Sequence, residues 1–273
     1  MLFSILIAHY NNFNYFKDCY QSILNQSIKD IEIVILDDCS KEDEYRGIME
    51  IVKNDERVKV FRNEENKGVG FTKNKLIELA SGDICGFLDP DDALFPTAIE
   101  KSLAAYKNPD IIATYSQFSF CNQELTPTSV FKNSSKITAF NPLFFNINFE
   151  VAHFFTFKKE AYLLTSGINK ELRLAEDQDL YLKLYEKGVF QFINEPLYQY
   201  RKHDKGVSQN QTEKQKNKYS FHSVLKDTLI RRKIATLYGK DINDIDNLHE
   251  YIFKKQNSLF CKIRKKIRKK FNL

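Results

Sequence analysis

The sequence predicts an α/β domain with a mostly parallel sheet flanked by helices, followed by a helical C-terminal extension. Three observations predict it. Short apolar runs rich in β-branched residues alternate with segments of helical periodicity through the first hundred residues. The runs end at polar or acidic residues, as buried strands do where they leave a sheet. A chain of 273 residues with 42% hydrophobic content, including 23 Phe and 14 Tyr, can bury one large domain plus an appendage.

Phe3–Ala8 reads as the first buried strand, passing into His9-Tyr10-Asn11-Asn12. Asn14 is placed to cap a helix through Asn25, with Phe16, Cys19, Ile23 and Leu24 on one face. Ile31–Leu36 is the second strand and stops at Asp37-Asp38. Ser40 then opens a helix, with Asp43 at capping-box spacing. Val58–Arg62 is the third strand, followed by the loop Asn63–Gly70 and a helix ended by Ser81-Gly82. Ile84–Leu88 is the fourth strand and runs into Asp89-Pro90-Asp91-Asp92, after which Pro96 opens another helix. From Tyr115 to Phe157 the pattern is irregular. Lys159–Ser166 and Asp177–Lys187 then read as helices, each closed by glycine, and Phe190–Ile193 and Leu197–Arg201 as strands. Beyond Gly206 the chain turns polar and then helical.

Charge is distributed unevenly. The net charge is +5, yet residues 254–273 hold nine Lys or Arg and no acid, so the preceding body carries −4. That excludes the global basic character suited to nucleic acid. In the tail, Phe260, Ile263, Ile267 and Phe271 share one helical face among the cations, a pattern suited to an anionic membrane surface or to a solvated terminal helix packed on the domain. Five scattered cysteines without a C-x-x-C pair argue against a disulfide framework or zinc site and fit a reducing compartment. No secretory leader and no membrane-spanning run is visible, so the expected location is the cytoplasm, with peripheral attachment to the cytosolic face of a membrane.

In an open α/β sheet, ligands bind beyond the carboxyl ends of the strands, and there lie Asp37, Asp38, Asp89 and Asp91. Three carboxylates within Asp89–Asp92 repel one another unless a cation neutralises them, and hard oxygen ligands suit Mg2+ or Mn2+. The other reading of this run is an Asp-Pro turn with a helix cap. Gly68 and Gly70 allow either a tight loop close to a ligand or ordinary loop freedom.

The ordered set Ile5–Asn11, Asp37-Asp38-Cys39-Ser40, Asn66-Lys67-Gly68, Lys73-Asn74, Asp89–Asp92 with Pro96, Glu176-Asp177 and His203 resembles the inverting glycosyltransferase family 2, on the GT-A fold. The resemblance spans residues 3–210. It implies a GT-A domain over 1–210, with a nucleotide-binding half (1–95) and an acceptor half (96–210), and leaves 211–273 as a helical, basic extension. It implies a nucleotide-sugar donor, UDP-linked by default, bound through Ala8, Tyr10, Asp38, Gly68, Lys73 and Asp89. Asp38 would accept from the base, Asp89 would lie near the ribose, and Lys73 would meet phosphate or base. Asp91, joined by His203, would hold Mn2+ or Mg2+ against the diphosphate, leaving Asp92 to cap the following helix.

Asp177 would be the general base, which the chemistry requires because an acceptor hydroxyl is a poor nucleophile until it loses its proton. Glu176 would contact the acceptor or support the base, and His153 would border the acceptor site. The acceptor implied is a glycan or lipid-linked oligosaccharide of a surface polysaccharide. The chain has no Gln-x-x-Arg-Trp motif and no Trp, which points to transfer of one sugar per binding event. Two other readings stand beside this one. A phosphoryl-transfer enzyme of the haloacid-dehalogenase type also uses Asp-x-Asp after a strand, but places it on the first strand. A non-catalytic nucleotide-sugar-binding protein would have no need of a base at Asp177.

Overall fold

The computed structural model describes residues 1–203 and 211–258, the side chains of 211–218 excepted. The first half runs β1 (Phe3–His9), α1 (Phe13–Leu24), β2 (Ile31–Asp37), α2 (Glu42–Val52), β3 (Val58–Arg62), α3 (Val69–Leu79), β4 (Ile84–Phe87) and β5 (Ala93–Leu94). The second continues α4 (Ala98–Ala105), β6 (Ile111–Cys121), β7 (Pro127–Val130), β8 (Thr156–Lys158), α5 (Lys159–Leu163), α6 (Glu176–Tyr185) and β9 (Val189–Arg201). Helix α7 (Gln211–Arg231), the short strands β10 (Thr236–Leu237) and β11 (Lys240–Asp241), and α8 (Leu248–Gln256) complete it. The apolar face expected in the basic tail falls on residues 259–273, outside the described residues.

One mixed sheet runs through both halves in the order β3-β2-β1-β4-β8-β6-β9-β5, with β7 on β6. Strands β3, β2, β1 and β4 are parallel, as the alternation with helices requires. Beyond them the expected parallel character ends. Strand β8 is antiparallel to both β4 and β6, β6 is parallel to β9, and β5 is antiparallel to β9. The sheet therefore crosses the boundary drawn at residue 95.

Strand alternation sorts the core into two layers. Phe3, Ile5 and Ile7 face Phe16, Cys19 and Ile23 of α1, Ile48 of α2 and Ile99 of α4. Leu6, Val34 and Leu36 face the opposite layer, with Leu76 and Ile77 of α3 and Tyr181 and Leu184 of α6. A third cluster joins the C-terminal helices, through Leu225, Leu229 and Ile252, to Phe145, Leu172 and Leu182. No helix among the described residues is long and apolar enough to cross a membrane.

The expected helix caps are not the ones used. Helix α1 starts a residue before Asn14, and α2 follows Lys41 without a side-chain cap. Ser40 is diverted: its hydroxyl accepts from Asn11 N at 2.9 Å and its N–H donates to Asp37 at 3.0 Å. Pro96 lies in the turn ahead of α4.

Buried Glu32 ties three segments together, accepting from Ser4, from Lys59 at 2.7 Å and from Ser81 N at 2.7 Å. Burial would raise its pKa, but the bonds from Lys59, Ser4 and Ser81 outweigh it and hold the carboxyl at about 2. A carboxyl depressed in the fold stabilises above its unfolded pKa and loses that stabilisation as pH falls through the folded one. With the half-exposed Lys59 partner screened by solvent, denaturant unfolding should therefore show on the order of 1–2 kcal/mol of stability lost between roughly pH 4.5 and 2. Glu32→Gln should flatten that loss, and an unchanged profile would remove Glu32 as its source.

Candidate functional site

The carboxyl ends of β1 and β2 are locked by a buried polar network. His9 Nε2 accepts from Asn12 N at 3.2 Å, so Nδ1 carries the proton and donates to Asp37 Oδ1 at 2.8 Å. Burial pushes the Asp37 pKa up, and the hydrogen bonds from His9 and Ser40 outweigh it to leave it lowered. The sequence placed Asp37 at a strand end but gave it no role, and it gave His9 no partner; the signal of the pair is a polar residue at the last position of each of two buried strands.

Asp38 follows and organises the loop after β3. Its Oδ1 accepts from Asn63 Nδ2 and Lys67 N, both at 2.8 Å, and its Oδ2 from Gly68 N at 2.8 Å. Above it opens a cavity of about 280 Å³ whose walls include Ala8, Tyr10, Asp38, Asn66, Gly68 and Arg173. Four of the six predicted nucleotide-side residues thus meet in one place.

The two glycines are there for close approach. A Cβ on Gly68, whose φ is +86°, would lie 2.2 Å from the Arg173 guanidinium. One on Gly70 would lie 2.6 Å from the carbonyl oxygens of both Asn169 and Leu172, and Gly70 N donates to Leu172 O at 3.0 Å. The second half of the chain is pressed onto the start of α3, a close approach that neither sequence reading of these glycines included.

Lys73 does not line that cavity. It was expected to meet phosphate or base, but it is 3% exposed, with Nζ 2.8 Å from Glu176 Oε1, 2.8 Å from Asp177 Oδ1 and 3.6 Å from Asp89 Oδ1. Burial would lower its pKa; the charges of Asp177, Asp89 and Glu176 outweigh that and raise it well above the usual lysine value. The ammonium therefore remains charged and joins Asp89, from the nucleotide half, to the acid pair that opens α6. Glu176 spends its carboxylate on Lys73 and is absent from the walls of the neighbouring cavity, so its position suits support of the base rather than acceptor contact.

The acidic run divides its labour. Asp92 was expected to cap the next helix, yet α4 has no side-chain cap. Its buried carboxylate instead accepts from Tyr198 Oη at 2.7 Å and Arg201 N at 2.8 Å, pinning the run to β9. Burial, then the charges of Asp91 and Asp89, raise its pKa well above the carboxylate range. Asp91 Oδ2 lies 2.9 Å from His203 Nε2, and the His203 ring packs 4.4 Å from Tyr15.

This donor set fits a hard divalent cation: one carboxylate beside an imidazole, a second carboxylate two residues earlier, and a partly exposed edge where phosphate oxygens can complete the shell. Among the described residues no three His, Cys, Asp or Glu side chains converge on one point.

Asp177 lies at the mouth of α6, just after Ala175, whose φ of +63° turns the chain into the helix. It is a quarter exposed and borders a largely aromatic cavity of about 500 Å³, with Phe118, His153, Tyr181, Tyr200 and Phe221. His153 stacks on Tyr198 with ring centroids 4.7 Å apart. The structure thus places predicted residues in two recesses, and Lys73 ties Asp177, at the edge of one, to Asp89 of the acidic run.

Comparison with known proteins bears on the family and the fold. The glycosyl transferase family 2 profile matches residues 4–163, well over half the chain. Hyaluronan synthase of Pasteurella multocida is 31% identical over 93% of this chain, which spans about a quarter (26%) of that synthase. The fold is shared with S. aureus TarS 1-349 in complex with UDP-GlcNAc, at TM-score 0.69 and 18% identity, covering 93% of this chain and 70% of that one. It is shared too with a mannosyltransferase from Pyrobaculum calidifontis in complex with GDP-Man and Mn2+, at TM-score 0.58 and 14% identity, covering 93% and 67%. Asp177 and His203 lie beyond the matched span. A family match over more than half of its residues, with a relative 31% identical over 93% of them, means that the chain belongs to glycosyl transferase family 2.

Proposed function

We propose that the chain transfers a single sugar from a UDP-sugar to a glycan or lipid-linked acceptor in polysaccharide synthesis, inverting the anomeric centre, with Asp177 as general base. One observation carries the reading: a single ammonium contacts both Asp89 and Asp177, so the donor-side acid and the base are held within one cleft. TarS in complex with UDP-GlcNAc and the hyaluronan synthase relative support the donor and the polymer class.

The donor base would occupy the cavity of Ala8, Tyr10 and Asp38, and the acceptor sugar the aromatic recess, where pyranose faces pack against rings. Asp177 Oδ takes the proton of the acceptor hydroxyl as its oxygen bonds to the anomeric carbon. The bond from that carbon to the diphosphate breaks on the opposite face, and its electron pair leaves with the nucleoside diphosphate. Lys73 fixes the aim of Asp177, with Glu176 completing the clamp. Asp91 and His203 would hold a divalent cation, which supplies charge neutralisation to the departing diphosphate. The P. calidifontis relative in complex with Mn2+ supports the choice of ion.

The reading is tested by thermal shift with nucleotide sugars in the presence and absence of Mn2+. UDP-sugars should raise the melting temperature, and more so with the ion. Absence of any shift with every nucleoside diphosphate, with or without metal, would overturn it.

A further inference from the structure

Arg173 belongs to the second half of the chain, yet it forms part of the wall of the nucleotide-side cavity, opposite Ala8 and Tyr10. Two features put it there. Leu172 O accepts from Gly70 N at 3.0 Å, which fixes the backbone one residue before it against the start of α3. The missing side chain of Gly68 then leaves the space through which the guanidinium crosses the loop; a Cβ there would be 2.2 Å from Nη1 and 2.5 Å from Cζ. The guanidinium is aimed by one hydrogen bond among the described residues, from Nη1 to Asn66 Oδ1 at 2.9 Å. Five N–H donors in a rigid plane, with one so used, leave donors to offer along the cavity wall.

Asp38 stands on the other side of Gly68. Three N–H groups point at its carboxylate, two at Oδ1 and one at Oδ2. A carboxylate oxygen accepts about two hydrogen bonds, so Oδ2 has one site to give. The cavity therefore presents an acceptor, Asp38 Oδ2, and a donor, Arg173, flanking one glycine, and beside them the half-exposed ring of Tyr10 for stacking.

We propose that Arg173, together with Asp38, reads the base of the donor, selecting a nucleoside diphosphate whose base has a carbonyl next to a ring N–H. Uracil offers that edge: N3–H donates to Asp38 and O4 accepts from Arg173. Cytosine presents an amine to the guanidinium and a lone pair to the carboxylate, a mismatch at both positions, and leaves both protein groups desolvated without partners. This inference rests on the proposed use of a nucleotide-sugar donor and adds the residue that sets base choice. The sequence holds only a faint signal for it, an arginine four residues ahead of Asp177 in an otherwise acidic stretch.

The test is calorimetric titration of UDP and CDP, each with Mn2+, into the full chain and into Arg173→Ala and Arg173→Lys. The unmodified chain should favour UDP over CDP by about tenfold or more. Arg173→Ala should weaken UDP by a similar factor and bring the two ligands close together in affinity, while Arg173→Lys, which keeps a donor, should recover part of the preference. A merely structural loss would weaken UDP and CDP alike and keep their ratio, which would overturn the assignment, as would an unchanged UDP affinity. If the unmodified chain binds neither ligand, the donor reading itself fails, a result distinguishable from either of these.

Discussion

Asp177→Asn is expected to bind the donor as the unmodified chain does and to transfer sugar about a thousandfold more slowly, the scale on which a positioned general base contributes. The substitution is close to isosteric. The amide oxygen can still accept from Lys73, whose Nζ lies 2.8 Å from Oδ1, so the clamp and the start of α6 should persist. What disappears is the ability to take a proton. Measuring UDP release in single turnovers at saturating acceptor, beside donor affinity by titration, separates chemistry from binding. Transfer at the ordinary rate would place the base elsewhere.

Asp91→Ala is expected to abolish the divalent-ion dependence of donor binding while leaving the protein folded. The loop does not depend on that side chain. Asp91 holds β9 through its backbone carbonyl, which accepts from Arg201 Nε at 2.7 Å, and Asp92 supplies the Tyr198 and Arg201 contacts. Loss of the carboxylate leaves His203 without its partner at 2.9 Å and leaves the cation with one protein ligand fewer. Affinity for nucleoside diphosphate in Mn2+ should fall on the order of a hundredfold, at or above what disturbing groups behind a metal ligand costs. The affinity without the ion should hardly change. A variant still showing full Mn2+ enhancement would show that Asp91 is not the metal-binding carboxylate.

The parts of the fold legible in the sequence were those set by short-range pattern. Val58–Arg62 is found as read, and the first, second and fourth strands differ from their expected spans by one residue at the end. Strand β6 was not legible because bulges at Ile111/Ala113 and on either side of Gln117 break the alternation that marks a strand. The same ladder pairs Gln117 with Pro196, which explains why β9 read as two short strands about a proline. In the site, strand-end acids could be found because a sheet delivers its ligands there. The partners of Lys73 could not, since Glu176 and Asp177 lie more than a hundred positions away and meet it only after folding. Arg173 was missed for the same reason.

The buried ammonium of Lys73 has a thermodynamic consequence. Because its charge is shared among Asp89, just past the end of β4, and Glu176 and Asp177, at the start of α6, a ligand that draws on one of these acids alters the field at the others. Linkage makes such an influence reciprocal: if donor strengthens acceptor binding by some factor, acceptor strengthens donor binding by the same factor. The cleft would then behave as one cooperative unit, in which occupancy of either recess tells the other that its partner has arrived.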